Sequence, residues 1–339
     1  MRTLLLALVA GLLSLATPAS AGGPPPVIYD SDLDIDDAAT LAYLCAEHHR
    51  GRIDLRAVTV TTSGFGYPGR VRQHAISVLR QCGLPNVPVA EGVHEAVHPA
   101  PAEARVDVED VLSGALGDRD ENPGPATGTA ADLIRRTLAS SSRKVTILAT
   151  GPLSNLATAL PEGDRLTRRI AAVHAMNGAV HVPGNLFGSA LPGFDNTQEL
   201  NAWMDPAATA AVLRALPGVH LTPLDTTNHV PITQDYVDRL GADLTTPSAR
   251  IVHAIMTQPV MRNGIPLGIY FWWDAVAALR AFRDEGVITE ERDTRITVVQ
   301  DGPQSGRTVV SQRGNKIRVA YGADREKFEQ EYLDGLNGR

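Results

Sequence analysis

Apolar and polar residues follow two periods along this chain, and these periods predict strands and helices in turn. Short continuous apolar runs, which are typical of buried strands, occupy residues 27–29, 55–60, 145–149, 170–176 and 219–224. Between them, apolar residues recur at helical spacing over residues 38–45 and 71–79, from about 154, and over 206–216. This alternation predicts an α/β fold, with a mostly parallel open sheet covered by helices on both faces.

The alternation of strand and helix patterns is interrupted at two places and changes again near the C-terminus. Residues 92–128 carry Pro and Gly and include a charged run at 118–122, and we interpret this charged run as a solvated loop. Residues 181–198 are rich in Gly, Pro and Asn. Long loops of this kind often close over a functional site. The C-terminal part predicts strands at 294–300, 308–311 and 316–321 and a closing helix at 325–336. Neither a linker nor an internal repeat stands out, so residues 22–339 are expected to form one domain.

The first 21 residues have the pattern of a secretory signal peptide. Arg2 precedes an apolar stretch over residues 4–15, and Ala19-Ser20-Ala21 supplies the small residues for cleavage before Gly22. The apolar stretch is shorter than the roughly 20 residues that a membrane-spanning helix needs. The mature protein is therefore expected to be secreted, extracellular and free of the membrane.

Charge and cysteine content exclude one class of function and leave one question open. Removing the signal peptide, which contains Arg2 and no acidic residue, turns the net charge of −7 into −8. No cluster of Lys and Arg forms a footprint for nucleic acid. Cys45 and Cys82 are the only cysteines. Export would permit a disulfide between them, and two buried thiols are the alternative.

The most informative segment is a run of aspartates between the first predicted strand and the first predicted helix. Five of the eight residues from 30 to 37 are acidic: Asp30, Asp32, Asp34, Asp36 and Asp37. Clustered carboxylates repel one another unless a cation neutralises them, and hard cations such as Ca²⁺ prefer oxygen ligands. A metal site is therefore predicted at this turn. A solvated acidic turn is the alternative, and phosphatases also carry acid-rich loops at strand ends.

Other polar residues follow other apolar runs. Thr150-Gly151 follows the run at 145–149, Asn177-Gly178 follows that at 170–176, and Asp274 follows the aromatic run at 270–273. The carboxyl ends of parallel strands meet at one edge of a sheet. These residues are therefore expected to share a cleft with the aspartates.

With these motifs the chain resembles the inosine–uridine-preferring nucleoside hydrolase family from Val27 to about Leu336. The matching residues, in the order that the family has them, are Asp30-x-Asp32-x-x-x-Asp36-Asp37, Thr150-Gly151-x-Leu153-x-Asn155, Gly184-Asn185, Glu199-x-Asn201, Asp205-Pro206, Pro223-Leu224-Asp225-x-Thr227 and Asp274. The resemblance implies a Rossmann-like sheet and hydrolysis of the N-glycosidic bond of ribonucleosides.

The resemblance also implies roles for particular residues. Ca²⁺ would be held by Asp32, Asp37, Asp274 and the backbone carbonyl of Thr150, with Asp30 supporting them from behind. Asp32 would in addition accept a proton from the water that the metal activates. The ribose hydroxyls and the 5′ side would be bound by Asp36, Met176, Asn185, Glu199 and Asn201.

The chain departs from the family pattern at three places. The family often has Pro-Gly where this chain has Leu33-Asp34, and no role is assigned to Asp34. Many members carry a His before the late aspartate as the acid that protonates the base, and this chain has Trp273. That substitution resembles the purine-preferring branch, in which tryptophan stacks on the base. The loop after Thr62 reads Ser63-Gly64-Phe65 and lacks the family's usual Asn.

We therefore expect a secreted Ca²⁺-dependent ribonucleoside hydrolase with a preference for purines. A pyrimidine-specific or broad-specificity hydrolase is one alternative, and a catalytically weak protein that binds nucleosides or sugars is another. A homodimer and a homotetramer both stay open. Trp272 is expected in the core, and His181 is the histidine with the best chance of touching the substrate.

Overall fold

The computed structural model describes residues 23–92, 94–186, 191–283 and 285–339, so the expected signal peptide lies outside the described residues. The strands are β1 Pro26–Ser31, β2 Asp54–Thr61, β3 Val89–Gly92, β4 Val145–Ala149, β5 Ile170–Met176, β6 Val219–Thr222, β7 Ile288–Val298, β8 Thr308–Val310 and β9 Asn315–Ala323. The helices are α1 Ile35–His49, α2 Arg70–Gln81, α3 Ala102–Leu116, α4 Ala130–Ser140, α5 Ser154–Ala159, α6 Leu200–Met204, α7 Pro206–Ala215, α8 Leu224–Thr227, α9 Gln234–Gly241, α10 Pro247–Met256, α11 Pro259–Gly264, α12 Trp273–Phe282 and α13 Arg325–Leu336.

These strands form one sheet with the order β3-β2-β1-β4-β5-β6-β9-β7-β8. Neighbours from β3 to β9 are parallel, whereas β7 pairs antiparallel with both β9 and β8. The predicted α/β fold with a mostly parallel open sheet is therefore confirmed. The strand order reverses direction between β1 and β4, and open α/β sheets bind their ligands at such a point.

Both faces of the sheet are buried, which explains why its strands are continuous apolar runs. Successive residues of β1 point to opposite faces: Val27 and Tyr29 join one core cluster, and Ile28 joins the other. The first cluster is covered by α1, α2, α10, α12 and α13. The second is covered by α4, α5 and α7. Among the described residues, no helix is long and apolar enough to cross a membrane.

Several predicted elements have the observed bounds, and others were wrong. The strands β4 and β5 and the helix α13 match the prediction at both ends. Residues 92–128, interpreted as a loop, contain α3, whose buried side chains Val108, Val111, Leu112 and Leu116 recur at helical spacing. The aromatic run at 270–273 is not a strand, because Trp273 begins α12. Cys45 and Cys82 are buried and carry free thiols.

The charged run at 118–122 is not fully solvated, because Asp118 is buried in a network that joins α2 to α3. His74 of α2 contacts Asp118 through Nδ1 at 3.0 Å and Glu109 of α3 through Nε2 at 3.0 Å. Arg70 contacts Glu109 at 2.9 Å. Burial lowers the pKa of His74, but the hydrogen bonds to the two carboxylates outweigh it and raise that pKa overall. Against the effect of burial, the bond from His74 lowers the pKa of Glu109 to about 2.

We predict that His74→Gln lowers the free energy of unfolding by about 2 kcal/mol, because it removes one of the two cationic partners of the partly buried carboxylates and leaves them with Arg70 alone. The contribution of His74 is complete below its unfolded pKa of about 6.5 and is lost as pH rises through its higher folded pKa. The contribution of Glu109 is complete above its unfolded pKa of about 4.3 and is lost as pH falls towards 2. The difference between wild type and variant should therefore be largest between about pH 5 and 6.5. Urea unfolding at several pH values measures this difference, and His229→Gln, at an exposed position, is the control. A difference that does not change with pH would contradict the charge network.

Candidate active site

A cavity of about 600 Å³ opens at the carboxyl ends of the central strands. Its polar wall consists of Asp34, Asp36, Thr150, Asn185, Glu199, Asn201 and Asp274, together with the thioether of Met176. The other lining residues, which we call the apolar wall, are mostly apolar and include Phe65, Ala104, Val108, Ile232, Met261, Ile269, Phe271 and Trp273. The cavity thus offers polar groups suited to a polyhydroxylated group and apolar surface suited to a flat apolar group.

The structure brings most of the sequence-predicted site residues to this cavity. Every residue predicted to bind substrate lines it, as do Thr150 and Asp274. Asp30, Asp32 and Asp37 do not line it; they are buried just beneath, with at most 2% of their surface exposed. The role predicted for each of these residues in binding metal or substrate stays a prediction.

Asp37 is the most tightly held of the buried carboxylates. Its Oδ1 accepts hydrogen bonds from the Tyr29 hydroxyl at 2.7 Å and from the Thr150 hydroxyl at 2.5 Å. Its Oδ2 accepts from the backbone N–H of Asp34 at 3.2 Å. Tyr29 comes from β1 and Thr150 follows β4, so two neighbouring strands fix this side chain.

Two glycines allow the backbone to approach Asp32 closely. The Asp32 carboxylate accepts a hydrogen bond from the N–H of Phe65 at 2.7 Å. A Cβ at Gly64 would lie 1.9 Å from Asp32 Oδ2, and one at Gly151 would lie 2.5 Å from the Asp32 backbone nitrogen. No larger residue fits at either position while Asp32 stays in place. The departure at Ser63-Gly64-Phe65 therefore makes room for the carboxylate.

Asp30 is held by hydrogen bonds from two other segments of the chain. Its Oδ1 accepts from the Thr59 hydroxyl at 2.6 Å and from the Asn155 amide at 2.8 Å. The Oδ1 of Asn155 is in turn 3.0 Å from Nε2 of His94. The Thr-Gly-x-Leu-x-Asn segment thus contributes to the site by orienting Asp30.

Three residues of the polar wall, Glu199, Asn201 and Asn185, are fixed by hydrogen bonds with the backbone. Glu199 caps α6 and accepts from the N–H groups of Asn201 at 2.8 Å and Gly178 at 2.9 Å. The side-chain amide of Asn201 donates to the carbonyl of Thr150 at 2.7 Å. Asn185 accepts from the N–H of Leu200 at 2.9 Å. Because these bonds lock the side chains before any ligand arrives, the polar wall is preorganised.

Asp34, which had no predicted role, caps α1. Its Oδ1 accepts from the N–H groups of Asp36 at 3.1 Å and Asp37 at 3.2 Å. The carboxylate of Asp37 in turn accepts a hydrogen bond from the N–H of Asp34, which completes a capping box. Asp36 in turn accepts from the N–H of Asp274 at 2.9 Å, which ties the start of α1 to the start of α12.

The electrostatics of this cluster favour a bound cation. Burial, and then the charge of Asp37, raise the pKa of Asp36 to about 7. Burial also raises the pKa of Asp30 to about 7, against the hydrogen bonds from Thr59 and Asn155. Among the described residues that line the cavity there is no Lys, Arg or His. The carboxylate oxygens of Asp34, Asp36 and Asp274 lie within 4.8 Å of one another. This donor set fits a hard divalent cation.

The cavity also contains residues that sequence reasoning missed. Asp107 and Val108 line it from α3, Met261 lines it from α11, and Tyr270 lines it from the segment before α12. Burial, and then the charges of Asp107 and Asp34, raise the pKa of Tyr270, so its hydroxyl keeps its proton. The helical spacing in α3 was the one signal that pointed to this wall.

The two adjacent tryptophans and His181 lie in different surroundings. Trp272 is fully buried against Tyr236 and Tyr332, as predicted, whereas Trp273 faces the cavity. His181, the histidine with the best predicted chance of touching substrate, does not line the cavity, and its ring stacks on Tyr321.

Comparisons with known proteins identify the family of this chain. The family model described as inosine-uridine preferring nucleoside hydrolase matches residues 27–330. A pyrimidine-specific ribonucleoside hydrolase, RihA, from Salmonella paratyphi B is 30% identical over 234 residues, covering 68% of this chain and 70% of its own length.

Solved structures share the fold. An inosine-uridine preferring nucleoside hydrolase from Bacillus anthracis has a TM-score of 0.80 at 23% identity, covering 93% of this chain and all of its own. A purine-preferring ribonucleoside hydrolase from Gardnerella vaginalis has a TM-score of 0.73 at 22% identity, covering 92% of this chain and 98% of its own. With the family model matching nearly the whole described chain, this protein belongs to the inosine-uridine preferring nucleoside hydrolase family.

Proposed function

We propose that this nucleoside hydrolase uses a bound Ca²⁺ to cleave ribonucleosides, preferably purine ribonucleosides, into free base and ribose outside the cell. The observation that carries the proposal is that one cavity combines buried carboxylates, with no Lys or Arg among its described lining residues, and a tryptophan on its apolar wall. Calcium would be held by Asp32, Asp37, Asp274 and the carbonyl of Thr150.

The sugar fits the polar wall. Asp36, Asn185, Glu199 and Asn201 present carboxylate and amide groups that can bind the ribose hydroxyls, while Met176 packs against the ring. A wall whose buried polar groups are matched to hydroxyls leaves those groups unpaired when a hydroxyl is missing. Deoxyribonucleosides should therefore be poor substrates.

The chemistry needs an attacking water and an environment that tolerates a positively charged sugar. When bound, the cation lowers the pKa of water and orients the substrate. Asp32, fixed by the Phe65 N–H and by the close approach of Gly64 and Gly151, accepts the proton that the attacking water releases. The carboxylates of the polar wall favour the oxocarbenium-like sugar of the transition state.

The base fits the apolar wall. Trp273 immediately precedes Asp274 in α12, so a base that stacks on its indole is fixed relative to the cluster that holds the sugar. Stacking favours a large aromatic base, which is the reason to prefer purines. A pyrimidine-specific enzyme is the second candidate, because the Salmonella RihA relative carries that name.

Chelation tests the metal. Dialysis against a strong chelator should abolish release of ribose from inosine, and Ca²⁺ should restore it, because the cluster cannot stay ionised without a cation. Reducing-sugar assays before and after reconstitution measure the effect. Unchanged turnover in the chelated protein would contradict the metal assignment. A protein that binds nucleosides yet releases no ribose with Ca²⁺ present would support the binding-protein alternative instead.

Asp32→Asn tests the proton acceptor. The substitution keeps size and leaves an acceptor for the Phe65 N–H, so the fold should survive while kcat falls by about 10³ or more. Circular dichroism and steady-state kinetics measure the two effects. The exposed Asp235→Asn is the control and should keep full activity. Substantial remaining turnover in Asp32→Asn would remove Asp32 from this role.

Trp273→Ala tests the base wall. Loss of stacking should reduce kcat/KM for inosine, adenosine and guanosine by about tenfold to a hundredfold, and reduce it much less for uridine and cytidine. Trp273→Phe keeps an aromatic face and should lie between wild type and alanine. Equal losses for purines and pyrimidines would indicate a packing role. Wild-type kcat/KM that is higher for uridine than for inosine would favour the pyrimidine-specific candidate.

Export is proposed from the N-terminal pattern alone. When the full chain is expressed in a bacterial host, the protein outside the cytoplasm should begin at Gly22, since Ala19-Ser20-Ala21 suits signal peptidase. Fractionation followed by intact mass measurement checks both location and the first residue. Full-length protein that stays in the cytoplasm would contradict the proposal.

A further inference from the structure

Asp34 places a carboxylate where the family pattern commonly has glycine. It sits at the N-cap of α1, and its side chain lines the cavity. A glycine at this position would cap the helix only weakly and would bring no charge. The chain therefore carries one more carboxylate on the cavity wall than the pattern supplies.

The position of this carboxylate is fixed by the helix it caps. Its Oδ1 accepts from the N–H groups of Asp36 and Asp37 at 3.1 and 3.2 Å. The preceding Leu33 has a φ of 50° and is buried to 1% exposure. Proline cannot adopt a positive φ, so the turn differs from one built with Pro-Gly. The backbone and the cap together direct the side chain of Asp34.

The remaining geometry matches a shared cation. One carboxylate oxygen each of Asp34, Asp36 and Asp274 lie within 4.8 Å of one another. Ligands of one Ca²⁺ lie about 2.3–2.6 Å from it and hence up to about 5 Å from each other. Asp274 is also a ligand in the proposed calcium site, and the oxygen of Asp34 lies close enough to that of Asp274 for both to contact one ion.

We propose that Asp34 is an additional ligand of the proposed cation, so that this chain binds Ca²⁺ more tightly than the same site with an uncharged residue at position 34. The inference rests on the proposed metal dependence. Affinity for Ca²⁺ rises with the number of charged ligands. A further carboxylate would let the enzyme keep its metal when free calcium is scarce.

The test measures Ca²⁺ binding without substrate. Chelated wild type, Asp34→Asn and Asp34→Gly are titrated with Ca²⁺ by isothermal calorimetry. Asn caps a helix as well as Asp does, so Asp34→Asn removes the charge and keeps the cap. Asp324→Asn is the matched control, because Asp324 caps α13 through the N–H of Lys327 at 3.0 Å and does not line the cavity.

We expect one Ca²⁺ per chain in all four proteins, with Kd raised about tenfold or more in Asp34→Asn and Asp34→Gly and unchanged in Asp324→Asn. The rise in Tm caused by Ca²⁺ should shrink in the two Asp34 variants alone. Equal Kd in wild type and Asp34→Asn would overturn the inference, as would two ions in wild type and one in the variant. Wild type that binds no Ca²⁺ would instead refute the metal dependence on which the inference rests.

Discussion

The repulsion among buried carboxylates at the end of β1 is the constraint around which this site is arranged. Asp30, Asp32 and Asp37 are almost completely buried, and the interactions that shift the pKa of Asp32 include the charge of Asp37. Each carboxylate has hydrogen-bond donors aimed at it: Thr59 and Asn155 on Asp30, Phe65 on Asp32, and Tyr29 and Thr150 on Asp37. Donors reduce the cost of burial, but the repulsion itself is removed by a bound cation or by protonation of some of the carboxylates.

These donors come from segments far apart in sequence, which explains why the cluster lies where it does. Thr59 is in β2, Tyr29 is in β1 and Thr150 follows β4, and the three strands are neighbours in the sheet. Side chains from three parallel strands converge only at their carboxyl ends. The glycines at 64 and 151 then allow two loops to close over Asp32. The carboxylate cluster therefore depends on the strand order and would not form on an isolated turn.

The polar wall was predictable from sequence, whereas the apolar wall apart from Trp273 was not, and the reason is physical. Strand ends can be read from apolar runs, and parallel strands bring their ends together, so Thr150 and Asp36 could be placed in one cleft. Asp107 and Val108 reach the cavity only because α3 packs over it, and the Pro and Gly residues around α3 hid its helical spacing. The position of Asp34 depends on cap geometry and on the backbone of Leu33, which sequence alone does not specify.

This division has a consequence for specificity. The proposed sugar side is built from strand ends and short backbone hydrogen bonds, and such a frame changes little when surface helices change. The proposed base side is built from α3, α11 and the segment that leads into α12 at Trp273, whose contacts are mostly apolar and so tolerate substitution. Relatives named as pyrimidine-specific and as purine-preferring accordingly occur around one fold. Trp273 and Asp274 are adjacent in sequence. A substitution at Trp273 that changes base stacking therefore acts next to Asp274, whose backbone N–H ties α12 to Asp36.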